Sequence, residues 1–273
     1  MPGLQTNDIE TYYETGGEGP VVIMIHGAWI DSNMWKFQKA ALDDDFQWLV
    51  YDIRGHGKTP FGEKEYTFDQ LAEDLKALMD GLGIEKASIV GVSQGGMVAQ
   101  TFACHYSERV EKLVLCSTAL SFELGLIEKM LKYVVFPIPV FRMVLRIMGV
   151  SLFARFAFRV IGLRTPKSAK KRKKIQGNTK SYAREQLESF AENSFAAIME
   201  AVYSYERQPV EELPHPVLLV WGERDSFLTH RQVAAFQKVL RSPESREIKK
   251  ASHVPPMEKP NAFNKALIAF LKK

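Results

Sequence analysis

The segment running from Ala87 to Tyr106 constrains this chain more than any other. A β-like run, Ala87-Ser88-Ile89-Val90, leads into Gly91-Val92-Ser93-Gln94-Gly95, and a helix-like stretch follows from Gly96 to Tyr106. A strand that passes at once into a helix must turn tightly. The residue at the apex is forced into a strained backbone conformation and its side chain is pushed out of the sheet. Glycines on both sides leave room for the turn and for the approaching helix. Such a setting makes an ordinary hydroxyl a candidate nucleophile. A Gly-x-Ser-x-Gly pentapeptide also arises by composition alone in roughly one chain in twenty of this size. Its weight therefore comes from the strand before it, the helix after it and the partners found elsewhere.

The rest of the chain supplies a matching rhythm. Val21-Val22-Ile23-Met24-Ile25, Trp48 to Asp52, Lys112 to Ser117 and Pro216 to Gly222 are near-continuous apolar runs, the pattern of strands buried on both faces. Residues 9–14 alternate and read as an edge strand. Thr67 to Leu82 reads as an amphipathic helix with Phe68, Leu71, Leu75, Leu78 and Met79 on one face. Helices at about 230–240 and 261–272 and a short strand at 245–249 complete the alternation. Strands alternating with helices predict an α/β fold, a mostly parallel sheet flanked by helices. From about Ser121 to Gln208 the alternation stops. That stretch is helical in pattern, interrupted by Pro137 and Pro139, and too long for a loop in a compact domain. It reads as an inserted helical cap (121–208) on a core formed by residues 1–120 and 209–273.

In parallel sheets the chemistry gathers at the carboxyl ends of the strands. His26, Asp52, Ser93 and the loop after Gly222 all fall at such ends. A nucleophilic serine needs a base, and the base needs an orienting acid. His253, in Ala251-Ser252-His253-Val254-Pro255-Pro256, follows the last expected strand. Asp225, in Trp221-Gly222-Glu223-Arg224-Asp225, lies just past a buried strand, with Glu223 as the rival nearer the strand end. The order Ser, Asp, His suits this kind of elbow. His26 is read as shaping its own loop and His56 as bracing a turn. His105, His215 and His230 are read as helix-end or loop residues.

Composition removes other classes. The net charge of +4 is mild, and no nucleic-acid-binding motif accompanies it. Cys104 and Cys116 are expected to be buried and reduced, with no disulfide framework. No metal-ligand spacing or dinucleotide fingerprint is present, so neither a metal nor a cofactor is expected. The polar start and the lack of a long uncharged apolar stretch make the cytoplasm the expected compartment.

Five motifs, in order, resemble those of the α/β-hydrolase superfamily, in its serine-nucleophile, carboxylesterase- and lipase-like branch. They are His26-Gly27-Ala28-Trp29, Asp52-Ile53-Arg54-Gly55-His56-Gly57, Gly91-Val92-Ser93-Gln94-Gly95-Gly96, Gly222-Glu223-Arg224-Asp225 and His253-Val254-Pro255-Pro256-Met257-Glu258-Lys259-Pro260. The resemblance spans nearly all of the chain outside the insertion. It implies Ser93 as nucleophile, Asp225 as acid and His253 as base. It also implies an oxyanion hole from the backbone N–H groups of Ala28 and Gln94, with Trp29 as a pocket wall or an alternative contributor. Serine at the elbow argues against epoxide hydrolases and haloalkane dehalogenases, which use aspartate there. The absence of cysteine there argues against dienelactone-hydrolase-like chemistry.

The implied activity is hydrolysis of small or medium lipophilic carboxylic esters through an acyl-enzyme. An acyl-lactonase, a C–C bond hydrolase acting on a diketone and a cofactor-free perhydrolase would use the same three residues. A ligand receptor or scaffold that retains the fold is the reading from another class. Trp29, Phe122, Phe136, Phe141 and Val254 are expected to line the substrate pocket, with Phe153 beside them if the insertion faces the site. Within the insertion, Tyr133 to Leu163 is rich in Phe, Val, Ile and Met and carries Arg142, Arg146, Arg155 and Arg159. The four-residue spacing within each pair puts it on one helix face. That face, with the run Lys167 to Lys174, is either solvated or in weak contact with anionic membrane lipid. The oligomeric state stays open.

Overall fold

The computed structural model of the chain describes residues 3–126, Lys129, Met143, Tyr182 and 192–273. Among these residues eight strands form one sheet. They are β1 (Gly3–Thr6), β2 (Ile9–Gly16), β3 (Val21–Ile25), β4 (Gln47–Tyr51), β5 (Ala87–Val92), β6 (Val110–Cys116), β7 (Val217–Gly222) and β8 (Glu244–Ile248). Their order is β1-β2-β4-β3-β5-β6-β7-β8. The pairs β1–β2 and β2–β4 are antiparallel, and all the others are parallel. The described helices are α1 (Lys36–Leu42), α2 (Phe68–Gly81), α3 (Gln94–His105), α4 (Glu192–Ser204), α5 (Phe227–Val239), α6 (Pro255–Glu258) and α7 (Pro260–Leu271).

The two-residue side-chain period of a strand sorts each apolar run between two cores. Ile23, Ile25, Leu49, Ile89, Leu113 and Leu219 face a cluster that holds Leu71 and Leu75 of α2, Phe102 of α3 and Phe236 of α5. Val22, Met24, Val50, Val90, Val114 and Leu218 face the opposite cluster, with Leu42 of α1 and Phe263 and Leu267 of α7. Burial on both faces is why the central strands read as unbroken apolar runs.

Helix α2 starts where Thr67 accepts a hydrogen bond from the Gln70 N–H, an N-cap that satisfies one of the orphan donors of the first turn. The segment at 9–14 is longer than its pattern implies and is not the edge. β1 pairs with it through Gly3↔Tyr12 to Thr6↔Ile9. Two of the four β1 residues are exposed, so no apolar run marks the true edge strand. Helix α3 begins at Gln94, two residues before the helix-like stretch starts in the pattern, so strand and helix meet with only Ser93 between them.

Cys116 is buried as expected, but Cys104, the penultimate residue of α3, is partly exposed at the margin of the first core cluster; both thiols are free. Helix α4 falls inside the expected insertion and buries Ile198 and Ala201 in the same cluster as α2 and α3. Most of the remaining insertion, including Phe136, Phe141, Phe153, the four arginines and the run Lys167 to Lys174, lies outside the described residues. No helix among the described residues is long and apolar enough to cross a membrane.

Candidate active site

Ser93 stands alone between β5 and α3 with φ 53° and ψ −116°. A non-glycine residue at positive φ is strained and persists only where its surroundings over-determine it. Those surroundings are explicit. The Ser93 N–H donates to the Cys116 carbonyl (2.9 Å), and the Ser93 carbonyl accepts from the Thr118 hydroxyl (2.6 Å). A Cβ on Gly91 would lie 2.2 Å from the Gly95 carbonyl oxygen, so no larger residue fits where strand and helix cross.

His253 reaches this serine from the loop between β8 and α6. Its Nε2 lies 3.1 Å from Ser93 Oγ, and its Nδ1 lies 2.9 and 3.2 Å from the two Asp225 carboxylate oxygens. A carboxylate only accepts, so Nδ1 carries the proton and Nε2 is left to accept from the serine. The Asp225 side chain has no solvent exposure and that of His253 has 18%. Asp225 is also fixed by the Ser226 N–H (2.7 Å) and the Thr229 hydroxyl (2.9 Å), both donating to Oδ1. Burial pushes the Asp225 carboxyl up, but the charge and hydrogen bond of His253 and the Ser226 N–H outweigh it, and the group is held below its ordinary value. For His253, burial disfavours the imidazolium, yet Asp225, aided by Glu258, raises its pKa above the usual histidine value. Glu223 takes no part in this contact. Its carboxylate accepts from the Lys250 N–H at 2.7 Å on the exposed side of the loop.

The loop after β3 lies against the elbow: an added Cβ on Gly27 would be 3.5 Å from the Ser93 Cβ. Among the described residues no acceptor is paired with the backbone N–H of Ala28 or of Gln94. The Gln94 side chain is engaged with the Tyr66 hydroxyl at 2.5 Å. His26 is fully buried. It shares a 2.7 Å hydrogen bond with the Gly27 carbonyl through Nδ1 and accepts the Ile53 N–H at 2.9 Å through Nε2. It thereby ties the ends of β3 and β4 together. Burial lowers its pKa and pushes that of His56 down to about 3, so both stay neutral. Trp29 has φ 60° and stacks on Phe195 of α4, with ring centroids 4.8 Å apart. Phe122 packs against the first core cluster, with its ring 6.1 Å from that of Tyr203, and Val254 packs against the second. A groove of about 890 Å³ opens between the start of α2 and α4, but neither Ser93 nor His253 lines it. No group of three or more metal-ligating side chains occurs among the described residues.

Sequence reasoning passed over the residues that hold this constellation. Ser226 and Thr229 form an N-cap on α5, a Ser-x-x-Thr signal that was readable. Glu258 accepts from the backbone N–H groups on both sides of His253, and only its place shortly after the histidine hinted at this.

A family model described as alpha/beta hydrolase fold matches residues 20–260. The chain belongs to the α/β-hydrolase fold family. Among curated relatives of this α/β hydrolase is 3-oxoadipate enol-lactonase 2 of Acinetobacter baylyi, 28% identical over 99% of this chain and 96% of that protein. Epoxide hydrolase 3 of Xenopus tropicalis is 26% identical over 99% of this chain and 77% of that protein. The solved structure of a thermophilic esterase from Thermogutta terrifontis shares the fold, with a TM-score of 0.83 and 24% identity over 99% of this chain and 97% of that one.

Proposed function

We propose that this α/β hydrolase cleaves carboxylic esters through an acyl-enzyme. Ser93 is the nucleophile, His253 the base, Asp225 the orienting acid, and the Ala28 and Gln94 N–H groups the oxyanion hole. One observation carries the reading: the unbroken line Asp225, His253, Ser93, ending on a hydroxyl at a strained apex. In this mechanism His253 Nε2 takes the serine proton as Oγ attacks the carbonyl carbon. Asp225 stabilises the imidazolium. The two backbone donors stabilise the tetrahedral oxyanion; losing one such donor costs about 3–4 kcal/mol of barrier. His253 then protonates the leaving alkoxide, and a water activated by the same imidazole releases the acid. Residues 121–208 act as the cap that selects the acyl group, and small or medium lipophilic esters are the substrates.

The similarity to an enol-lactonase favours a second substrate class, cyclic esters. The chemistry is the same, except that the leaving oxygen stays tethered to the acyl group. The similarity to an epoxide hydrolase does not extend to this mechanism. Attack of a serine on an epoxide would leave an ether, which has no carbonyl for water to attack and would not turn over.

A fluorophosphonate probe tests the reading. The folded chain is expected to be labelled, and Ser93→Ala is expected to lose the label. An unlabelled wild-type chain would favour the receptor or scaffold reading. Hydrolysis rates over p-nitrophenyl esters of increasing chain length, with enol lactones beside them, separate the two substrate classes.

A further inference from the structure

The loop bearing His253 is anchored on its upstream side by the Arg224 N–H, which donates to the Ala251 carbonyl at 2.8 Å. On either side of the histidine the anchoring passes to a single side chain. The Ser252 N–H donates to Glu258 Oε2 at 2.9 Å, and the Val254 N–H donates to Glu258 Oε1 at 3.2 Å. The Glu258 N–H in turn donates to the Val254 carbonyl at 3.0 Å. The carboxylate reaching back to the N-cap N–H of Val254 matches the back-reaching half of a capping box. Helix α6 opens with Pro255 and Pro256, which have no N–H of their own, so the carboxylate meets the amides that remain. A carboxylate accepts at both oxygens, which lets one side chain clamp two amides.

The same carboxylate is one of two that bear on the imidazole. Asp225 comes from the loop after β7 and Glu258 from α6, while the Ser93 hydroxyl faces Nε2 from the elbow. Cys116, at the end of β6, feels both carboxylates, and burial pushes its thiol up, so it adds no charge there.

We propose that Glu258 is a positioning residue: it pins the backbone on both sides of His253 so that Nε2 stays on Ser93 Oγ, and its charge supports the imidazolium that forms as the serine proton is taken. The inference rests on the hydrolase reading above.

Glu258→Gln keeps the size, loses the charge and can accept at only one atom. Its fluorophosphonate labelling rate and kcat are expected to fall roughly 10- to 100-fold, the scale of a small misplacement of a reacting group, with KM little changed. Removing the negative charge withdraws support from the imidazolium, so the acid limb of the kcat/KM–pH profile moves to lower pH. Glu258→Asp keeps the charge but shortens the reach; its kcat is expected to fall with the acid limb in place. A Glu258→Gln enzyme with the wild-type rate, or with an unmoved acid limb, overturns the proposal. If that variant does not fold, a folded Glu258→Asp enzyme with full kcat overturns it instead. Active, labelled wild type with indifferent Glu258 variants removes this inference alone, whereas unlabelled wild type removes the hydrolase reading beneath it.

Discussion

Gly95 of helix α3 lies directly against His26 at the end of strand β3: a Cβ on Gly95 would stand 2.4 Å from the His26 carbonyl oxygen and equally close to that of Ile25. The helix carrying the Gln94 N–H and the strand leading to Ala28 therefore touch backbone to backbone. This contact sets the spacing between the two candidate oxyanion donors.

Gly95→Ala should consequently disturb function and stability together. The helix start must retreat from β3, an overpacking strain of about 1–3 kcal/mol, and the Gln94 N–H retreats with it. A fall in kcat/KM of about 100-fold is expected, read beside the thermal melt. Full activity with an unchanged melting temperature would mean that helix and strand have slack between them.

Asp225→Asn separates charge and tautomer from shape. The Ser226 N–H and the Thr229 hydroxyl both donate to Oδ1, so the amide oxygen takes that place and the NH₂ replaces Oδ2, 3.2 Å from His253 Nδ1. An NH₂ there favours the proton on Nε2, the tautomer that cannot accept from Ser93. A loss in kcat of about 10⁴-fold is expected with the fold intact, checked by steady-state kinetics and circular dichroism.

The pH profile should carry the mark of the raised His253 pKa. The base must be neutral, so kcat/KM falls as pH drops through a value above the ordinary histidine pKa. Stability moves the other way. A raised native pKa contributes stability that is fully present below the unfolded value and is lost as pH rises through the native one. Asp225, with its lowered pKa, contributes stability above the unfolded carboxylate value that is lost as pH falls through the native one. Melting temperatures and kcat/KM across one pH series test both signs.

Arg54 is buried with its guanidinium on Asp74 (2.8 and 2.9 Å) and Asp8 (2.7 Å), tying the loop after β4 to α2 and to the β1–β2 turn. Burial alone would lower its pKa, but the two carboxylates raise it, and the hydrogen bond from Arg54 holds Asp8 well below the carboxylate range. Arg54→Met strands Asp74 in the interior and should cost about 3–5 kcal/mol. Adding Asp74→Leu should recover part of that loss in denaturant titrations.

Much of this was legible in the chain because the strongest signals are local. Continuous apolar runs mark strands covered on both faces, and glycines around Ser93 mark a turn with no room for Cβ atoms. The two partners of Ser93 in the line of contact, Asp225 and His253, are marked by their places just after strands. β1 escaped because an edge strand buries too little to leave a pattern, and α6 because a four-residue helix opening on two prolines has no period to read.

The amino-acid order by itself determined the alternation of strands and helices, and with it the end of the sheet at which Ser93, Asp225 and His253 would emerge. Tertiary structure alone decided which groups meet. Asp225 rather than Glu223 turns inward to His253, because the fold buries one carboxylate behind the imidazole and leaves the other in solvent. Glu258 reaches back to the amides beside His253 because the loop and α6 fold onto one another. Which groups pair depends on distances across separate segments, and those distances exist only once the two cores have closed on the sheet.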